Sequence, residues 1–124
     1  MAEYKAKLFK NGNGKNSIIY SETEHVIGEW IDGSVLYEKT IDCGALPSGT
    51  PKNVAHNISN LNKVVEIKNI AIREDGEVFR TFESFGSSGL VVSYVTKTYV
   101  TISAPSGSDT YNKCYVTIRY TKTA

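Results

Sequence analysis

The chain has 124 residues, 40% of them hydrophobic and 22% charged, and its 14 basic and 13 acidic side chains leave a formal net charge of +1. This length predicts one domain with one core, and the composition is that of an ordinary globular protein. The charges are scattered instead of clustered, which argues against nucleic acid as a partner. No apolar run approaches the roughly 20 residues of a membrane-spanning helix, so we expect no membrane insertion.

The N-terminal region predicts two short strands joined by a turn. Residues 4–9 alternate as a first strand, the Asn-Gly-Asn-Gly run at 11–14 favours a turn, and residues 17–20 predict a second strand. No apolar stretch with a small-residue cleavage site follows the first lysines, so we expect no signal peptide and synthesis in a cytoplasm. We interpret 1–124 as one domain, with residues 1–16 as its lead-in strand and turn.

The strongest local signal is a β-hairpin at residues 24–41. Two alternating runs flank the Asp-Gly pair at 32–33, which is typical of a two-residue type I′ turn. In that register four residues form two opposed pairs: Trp30 with Val35, and Gly28 with Tyr37. Trp30 would then lie on a buried face. Because Ile27 and Ile31 lie on the other face, we expect the hairpin to be covered on both sides, by a second sheet or by another subunit.

The stretch 42–63 is rich in Gly and Pro and predicts an irregular crossing with structure inside it. Residues 53–58 favour a short strand, and residues 59–62 predict one helical turn that begins at the hydroxyl of Ser59. A loop of this length without any structure would be unusual in a compact domain.

The second half of the chain predicts further strands. They are expected at 64–72, 78–84, 90–95, 99–103 and 113–120, with a turn at 74–77, a flexible Gly-Ser tip at 85–89 and a loop at 104–110. The last strand has two distinct faces, Cys114, Val116, Ile118 and Tyr120 on one and Tyr115, Thr117 and Arg119 on the other.

Short strands at close intervals with almost no helix predict an all-β fold. The eight tyrosines and the many Thr, Val and Ile residues suit a pleated, half-buried surface. We therefore expect an antiparallel β-sandwich, of which the jelly roll is one form.

No catalytic residues and no metal site are legible in the sequence. His25 and His56 lie in different strands without a Cys or carboxylate at ligand spacing, so we interpret both as structural and expect no cofactor. The aspartates lie at predicted turns, where they cap the backbone. Cys43 and Cys114 are expected to be free thiols, because a β core of this size needs no disulfide.

Aromatic rings are the best candidates for ligand contact. Most of them are expected to pack in the core, but Tyr94, Tyr99 and Tyr111 lie near loops in the second half of the chain. Flat amphipathic rings are used both in carbohydrate sites and in protein interfaces. We therefore predict these three tyrosines as ligand-binding candidates.

The hairpin region resembles a segment of tail proteins from phages and prophages of Gram-positive bacteria. Residues 20–41 are similar to the pattern Y-S-T-x-E-x-V-I-G-x-W-I-D-G-K-P-L-Y-x-K-T-I, from which this chain departs at Ser34 and Val35. The similarity extends through 45–47, 54–61 and 115–123. It assigns structural roles only to the motif positions, which are Trp30, Asp32, Gly33, Tyr37 and Lys39.

The resemblance implies a C-terminal domain of a tail fibre, baseplate or minor structural protein, located in the virion. Residues 1–16 would then connect it to a longer tail protein. Such domains are typically trimeric β structures that face the host, so the implied partners are two further copies, other tail subunits and a host cell-wall saccharide or protein. We expect a non-enzymatic receptor-binding domain. The alternatives are a purely structural tail component and a fragment of a polysaccharide depolymerase.

Overall fold

The computed structural model describes residues 19–81, 85–86 and 89–123, with the backbone alone at 85–86 and 89–90. The predicted strand at 4–9 and the turn at 11–14 lie outside these residues, as do positions 17 and 18 of the second predicted strand. Residues 19 and 20 are not in a strand. Within the described part of the chain, no helix combines the length and the apolar character needed to cross a bilayer.

The described chain is an all-β, antiparallel β-sandwich, as the alternation of its residues predicts. Its strands are β1 (His25–Glu29), β2 (Val35–Gly44), β3 (Lys52–Ala55), β4 (Leu61–Ile72), β5 (Phe79–Arg80), β6 (Phe85–Gly86), β7 (Gly89–Leu90), β8 (Val92–Val95), β9 (Tyr99–Ser103) and β10 (Lys113–Lys122). One short 3₁₀ turn, Ser108–Thr110, precedes β10.

The strands form one large sheet, one smaller sheet and one small pair. The large sheet has the order β1-β2-β10-β4-β5, the smaller one the order β3-β9-β8, and β6 pairs with β7. The last strand therefore lies at the centre of the large sheet, where β2 and β4 pair with it along both edges. The backbone of a central strand is therefore paired along both edges.

The core lies between the five-stranded and three-stranded sheets. Every second residue of β10 is completely buried there, and the members of this row are Cys114, Val116, Ile118 and Tyr120. They pack in one cluster with Val100 and Ile102 of β9. The predicted inner face of the last strand is thereby confirmed.

The predicted register of the hairpin is wrong, although its turn is at the predicted place. Glu29 pairs with Val35, and Tyr37 pairs with Val26 instead of Gly28. The register shifts between Val26 and Gly28, so the intervening residue forms a β-bulge. Trp30 consequently does not face Val35 on a buried strand; it lies at the start of the turn and is half-buried.

The geometry of the turn explains the shift. The amide of Gly33 donates to the Trp30 carbonyl at 2.9 Å, and the amide of Trp30 donates to the Ser34 carbonyl at 2.9 Å. Gly33 has φ 87°, a left-handed conformation that favours glycine. Asp32 accepts the Ser34 amide at 2.9 Å, and this bond lowers the pKa of the Asp32 carboxyl. The loop is therefore longer than a two-residue type I′ turn.

Three further predictions need correction. No helical turn forms at 59–62, because Asn60 takes a left-handed φ of 57° and β4 begins directly at Leu61. The strand predicted at 90–95 is interrupted at Val91, whose side chain is buried in the core. The strand predicted at 78–84 extends over Phe79–Arg80 in the described residues, and positions 82–84 lie outside them.

Buried polar side chains connect the two sheets. His56 is buried, and its ring accepts the Ile58 amide at Nδ1 (3.1 Å) while Nε2 donates to the Thr96 carbonyl (2.9 Å). Lys39 of β2 donates from Nζ to the His56 carbonyl at 2.7 Å. The motif lysine thus bonds the large sheet to the loop that follows β3.

Both cysteines are buried free thiols. Cys43 lies at the irregularity where β2 pairs with β10, beside Cys114. The hydrogen bond between the two thiols, together with burial, raises the pKa of Cys43. The same hydrogen bond lowers the pKa of Cys114. Both side chains belong to the core cluster and pack there as small apolar residues.

Candidate functional site

The outer face of the five-stranded sheet carries a continuous row of charged side chains. Paired residues share a face, so Arg119 of β10 lies between Glu38 of β2 and Glu66 of β4. The Arg119 guanidinium bonds Glu38 at 2.8 Å and Glu66 at 3.3 Å, and His25 lies 3.5 Å from Glu38. The hydrogen bond to Glu38 raises the pKa of Arg119.

Glu38 is the unusual member of this row, because its side chain is only 2% exposed although it lies on the outer face. A buried carboxylate is stable only when it is paired and hydrogen-bonded. Arg119 and His25 supply those partners, which commits Glu38 to holding β1, β2 and β10 together and leaves it poorly placed for proton transfer to a ligand.

A cleft of about 520 Å³ opens beside this row. Tyr20, Ser21 and Glu22 form one wall. The remaining lining comes from Thr40 of β2, residues 68–70 of β4 and the two outward residues Tyr115 and Thr117 of β10. The volume falls within the range of about 300–1,000 Å³ that small-molecule sites occupy.

The register of the sheet builds the floor of the cleft. Thr117 pairs directly with Thr40 on one side and with Lys68 on the other, so the three side chains point to the same face. The two threonine hydroxyls lie 2.8 Å apart and share one hydrogen bond. The wall is attached to this floor, since the Thr40 amide donates to the Ser21 carbonyl at 2.8 Å.

The three tyrosines predicted as ligand contacts do not form one site. Tyr94 and Tyr99 are 54% and 41% exposed and lie on the outer face of the three-stranded sheet. Tyr99 precedes the buried Val100 on β9, and Tyr94 of β8 pairs with Thr101, which shares the face of Tyr99. Tyr111 is half-buried, packs against the core and has the Arg80 guanidinium 5.6 Å above its ring. None of the three is among the residues that line the cleft.

The motif residues take structural positions in the described fold. Asp32 and Gly33 form the hairpin turn, and Lys39 bonds the His56 carbonyl. Tyr37 stacks on Tyr120 with ring centroids 5.8 Å apart.

Next to this stack, Glu24 accepts the Tyr120 hydroxyl at 2.6 Å and the Lys122 ammonium at 3.0 Å. Partial burial works to raise the pKa of Glu24, but the bonds from Tyr120 and Lys122 together outweigh it and lower the pKa. Burial and the bond to Glu24 both raise the pKa of Tyr120.

Sequence reasoning missed the cleft, although it found part of the signal. Alternation along the last strand places Tyr115 and Thr117 on one outward face, but nothing in the local pattern brings Tyr20 beside them. That contact depends on the backbone bond between Thr40 and Ser21, which is 19 residues distant in sequence.

Among the described residues, no group of three or more His, Cys, Asp or Glu side chains is arranged to hold a metal ion. In comparisons with protein-family models, curated proteins and solved structures, the chain matches none.

Proposed function

We propose that this chain is a non-enzymatic host-binding domain of a phage tail, located in the virion, that presents a surface to a saccharide or protein of the bacterial cell wall. The observation that carries the proposal is the cleft on the outer face of the large sheet. It combines two tyrosine rings with hydroxyl, carboxylate and ammonium groups on a rigid sandwich. Recessed sites of this composition bind ligands that are partly apolar and partly hydrogen-bonding.

The assignment to a tail rests on the similarity of residues 20–41 to the tail-protein pattern. The turn residues Asp32 and Gly33 have clear structural roles, since one accepts a backbone amide and the other takes a left-handed conformation. The departures at Ser34 and Val35 follow the Gly33 position and leave the turn hydrogen bonds in place.

A homotrimer is part of the proposal, and the hairpin supports it. The hairpin carries three exposed apolar side chains, Ile31 at its turn (89% exposed), Val26 on β1 (42%) and Val35 on β2 (45%). Exposed apolar side chains that lie together are typical of protein interfaces. A cyclic assembly would cover them and would also present several equal clefts, which multiplies weak binding through avidity.

Whole-cell binding tests the proposal directly. Fluorescently tagged protein is incubated with a panel of Gram-positive and Gram-negative cells, and sedimented fluorescence is measured. We expect saturable binding to a subset of the Gram-positive strains, without release of soluble glycan. Saturable binding to none of the cells would contradict the host-binding role, and glycan release would contradict the non-enzymatic one.

A purely structural tail component is the second candidate, and the same exposed hairpin favours it. In that case the apolar side chains would contact other tail subunits and the domain would have no ligand on the host. Light scattering coupled to size exclusion, repeated with Ile31→Ser, measures whether the hairpin mediates assembly. We expect a mass of three chains for the native protein and a smaller mass for the variant; a single-chain mass for the native protein would contradict the trimer.

A further inference from the structure

We propose that the cleft on the outer face of the large sheet binds a neutral sugar and rejects anionic polymers. This inference rests on the proposed host-binding function and narrows it to one class of ligand and one surface. It depends on three properties of the cleft, namely its aromatic walls, its hydroxyl floor and its balance of charge.

The walls suit a ligand that has a flat apolar side. Tyr20 and Tyr115 contribute rings and Ile70 contributes an aliphatic surface. A pyranose presents C–H groups on its ring faces and hydroxyls around its rim, and amphipathic aromatic side chains can contact such faces while their own hydroxyls stay hydrogen-bonded. The volume of about 520 Å³ is that of a small-ligand site.

The floor suits a ligand with many hydroxyls. The hydroxyls of Thr40 and Thr117 are hydrogen-bonded to each other at 2.8 Å. This bond uses the proton of one hydroxyl and one lone pair of the other. A hydroxyl has one donor and two acceptor sites, so the two threonines together retain a donor and several acceptors. A sugar hydroxyl both donates and accepts, and it can therefore pair with this floor.

The charges around the cleft argue against an anionic ligand. Lys68 at one side is 3.6 Å from Glu66, and Glu22 lines the opposite wall. Arg119, the nearest guanidinium in the sheet register, is already bonded to Glu38 and Glu66. Sites for phosphate need clustered, available Lys or Arg, whereas the described residues that line this cleft include one lysine and one glutamate.

The cleft is also held in shape before a ligand arrives. Tyr115 and Thr117 belong to the central strand, and the wall is bonded to β2 through Ser21. Binding residues on strands are positioned more firmly than those on loops.

Isothermal titration of the purified chain provides the test. The probes are N-acetylglucosamine, galactose, rhamnose and glucose, their disaccharides, and, as anions, glycerol phosphate and poly(glycerol phosphate). We expect at least one neutral sugar to bind, with an affinity that changes less than twofold between 50 and 500 mM NaCl. Poly(glycerol phosphate) should not compete.

Two variants locate the site, and a third is the matched control. Tyr115→Ala and Tyr20→Ala should each weaken the binding of the neutral sugar at least tenfold. Tyr20 is largely exposed, so its variant remains informative if Tyr115→Ala does not fold. Tyr94→Ala removes an exposed tyrosine outside the cleft and should change the affinity less than twofold.

The outcomes separate this inference from the proposed function. Cells that bind the native protein and both cleft variants equally would overturn the cleft assignment while the host-binding role stands. Preference for poly(glycerol phosphate), or affinity that falls steeply with salt, would overturn the choice of a neutral ligand. Absence of binding to every cell and every sugar would overturn both.

Discussion

The two faces of the large sheet differ although the same strands form them. On β10, Cys114, Val116 and Ile118 face inward and are completely buried, whereas Tyr115 and Arg119 face outward and are partly exposed. The inner row is apolar and packs against β9, while the outer row carries ions, hydroxyls and the cleft. Because side chains of a strand alternate, one segment specifies both the stability of the sandwich and the chemistry of its surface.

This comparison predicts that substitutions on the two faces have different consequences. Inner substitutions should lower the free energy of unfolding without a specific effect on ligands. Outer substitutions in the cleft should affect binding more than stability. Substitutions in the row of charged side chains should lower the free energy of unfolding by less than the inner ones and by more than those in the cleft.

The largest effect is expected for Ile118→Ala. The variant removes buried methyl groups from the core and leaves a cavity, so the free energy of unfolding should fall by about 2 to 5 kcal/mol. The matched control is Ile67→Ala on β4, which pairs directly with Ile118 but is 39% exposed. For this control we expect the free energy of unfolding, measured with urea, to fall by roughly 1 kcal/mol. Equal losses in the two variants would contradict the distinction between buried and exposed positions.

Glu38→Gln should have the next largest effect. The amide keeps the shape of the side chain but removes the charge that faces Arg119, and the loss should be about 1 to 3 kcal/mol. The control is Glu66→Gln, whose carboxylate also bonds Arg119 but is half-exposed, so we expect less than about 0.5 kcal/mol. Urea unfolding at low and high salt measures both, and a larger loss for Glu66→Gln would contradict the predicted order.

A smaller, pH-dependent effect is expected for Glu24→Gln. The pKa of Glu24 is lowered in the folded state, so its stabilising contribution is present above the ordinary value of 4.5 and is lost as the pH falls through the lowered pKa. At pH 7 the free energy of unfolding of the native protein should exceed that of the variant by about 1 kcal/mol. The difference should shrink as the pH falls below 4.5 and through the lowered pKa of Glu24.

Tyr120→Phe tests the cause of this pH dependence, because it removes the hydroxyl that bonds Glu24. The acid-dependent part of the stability should decrease in this variant as well. A difference between native protein and Glu24→Gln that stays constant from pH 7 to pH 3 would show that the charge of Glu24 is not its source.

The smallest effect is expected for Tyr94→Ser on the outer face of the three-stranded sheet. Its ring is more than half exposed, and exposed positions without a special structural role usually change stability by less than about 0.5 kcal/mol. Thermal unfolding measures this, and a clear fall in Tm would indicate that Tyr94 is covered in the assembled protein.

The alternation of apolar and polar residues predicted those parts of the fold in which successive side chains point to opposite faces of a strand. It identified the inward row of β10 and the bounds of β9, because each of these strands has one consistently buried face. It also located the Asp32-Gly33 turn. The register failed because both a two-residue turn and a longer loop use glycine in a left-handed conformation, and because a β-bulge has no sequence signature of its own.

The cleft was less accessible to sequence reasoning. Its floor follows from the pairing of Thr117 with Thr40 and Lys68, and pairings between distant strands cannot be derived from one strand's pattern. The tyrosines chosen for their nearness to loops were Tyr94, Tyr99 and Tyr111. The tyrosines that line the cleft lie instead on a central strand and on the segment bonded to β2.

The two buried thiols have a practical use as a reporter of motion. Cys43 and Cys114 are inaccessible to a water-soluble disulfide reagent while β2 and β10 are paired. Each must be exposed by local or global opening before it can react, so the rate of thiol modification under native conditions measures how often the centre of the large sheet opens. No label or added cysteine is needed. The native chain therefore allows the opening rate to be compared with and without a bound sugar.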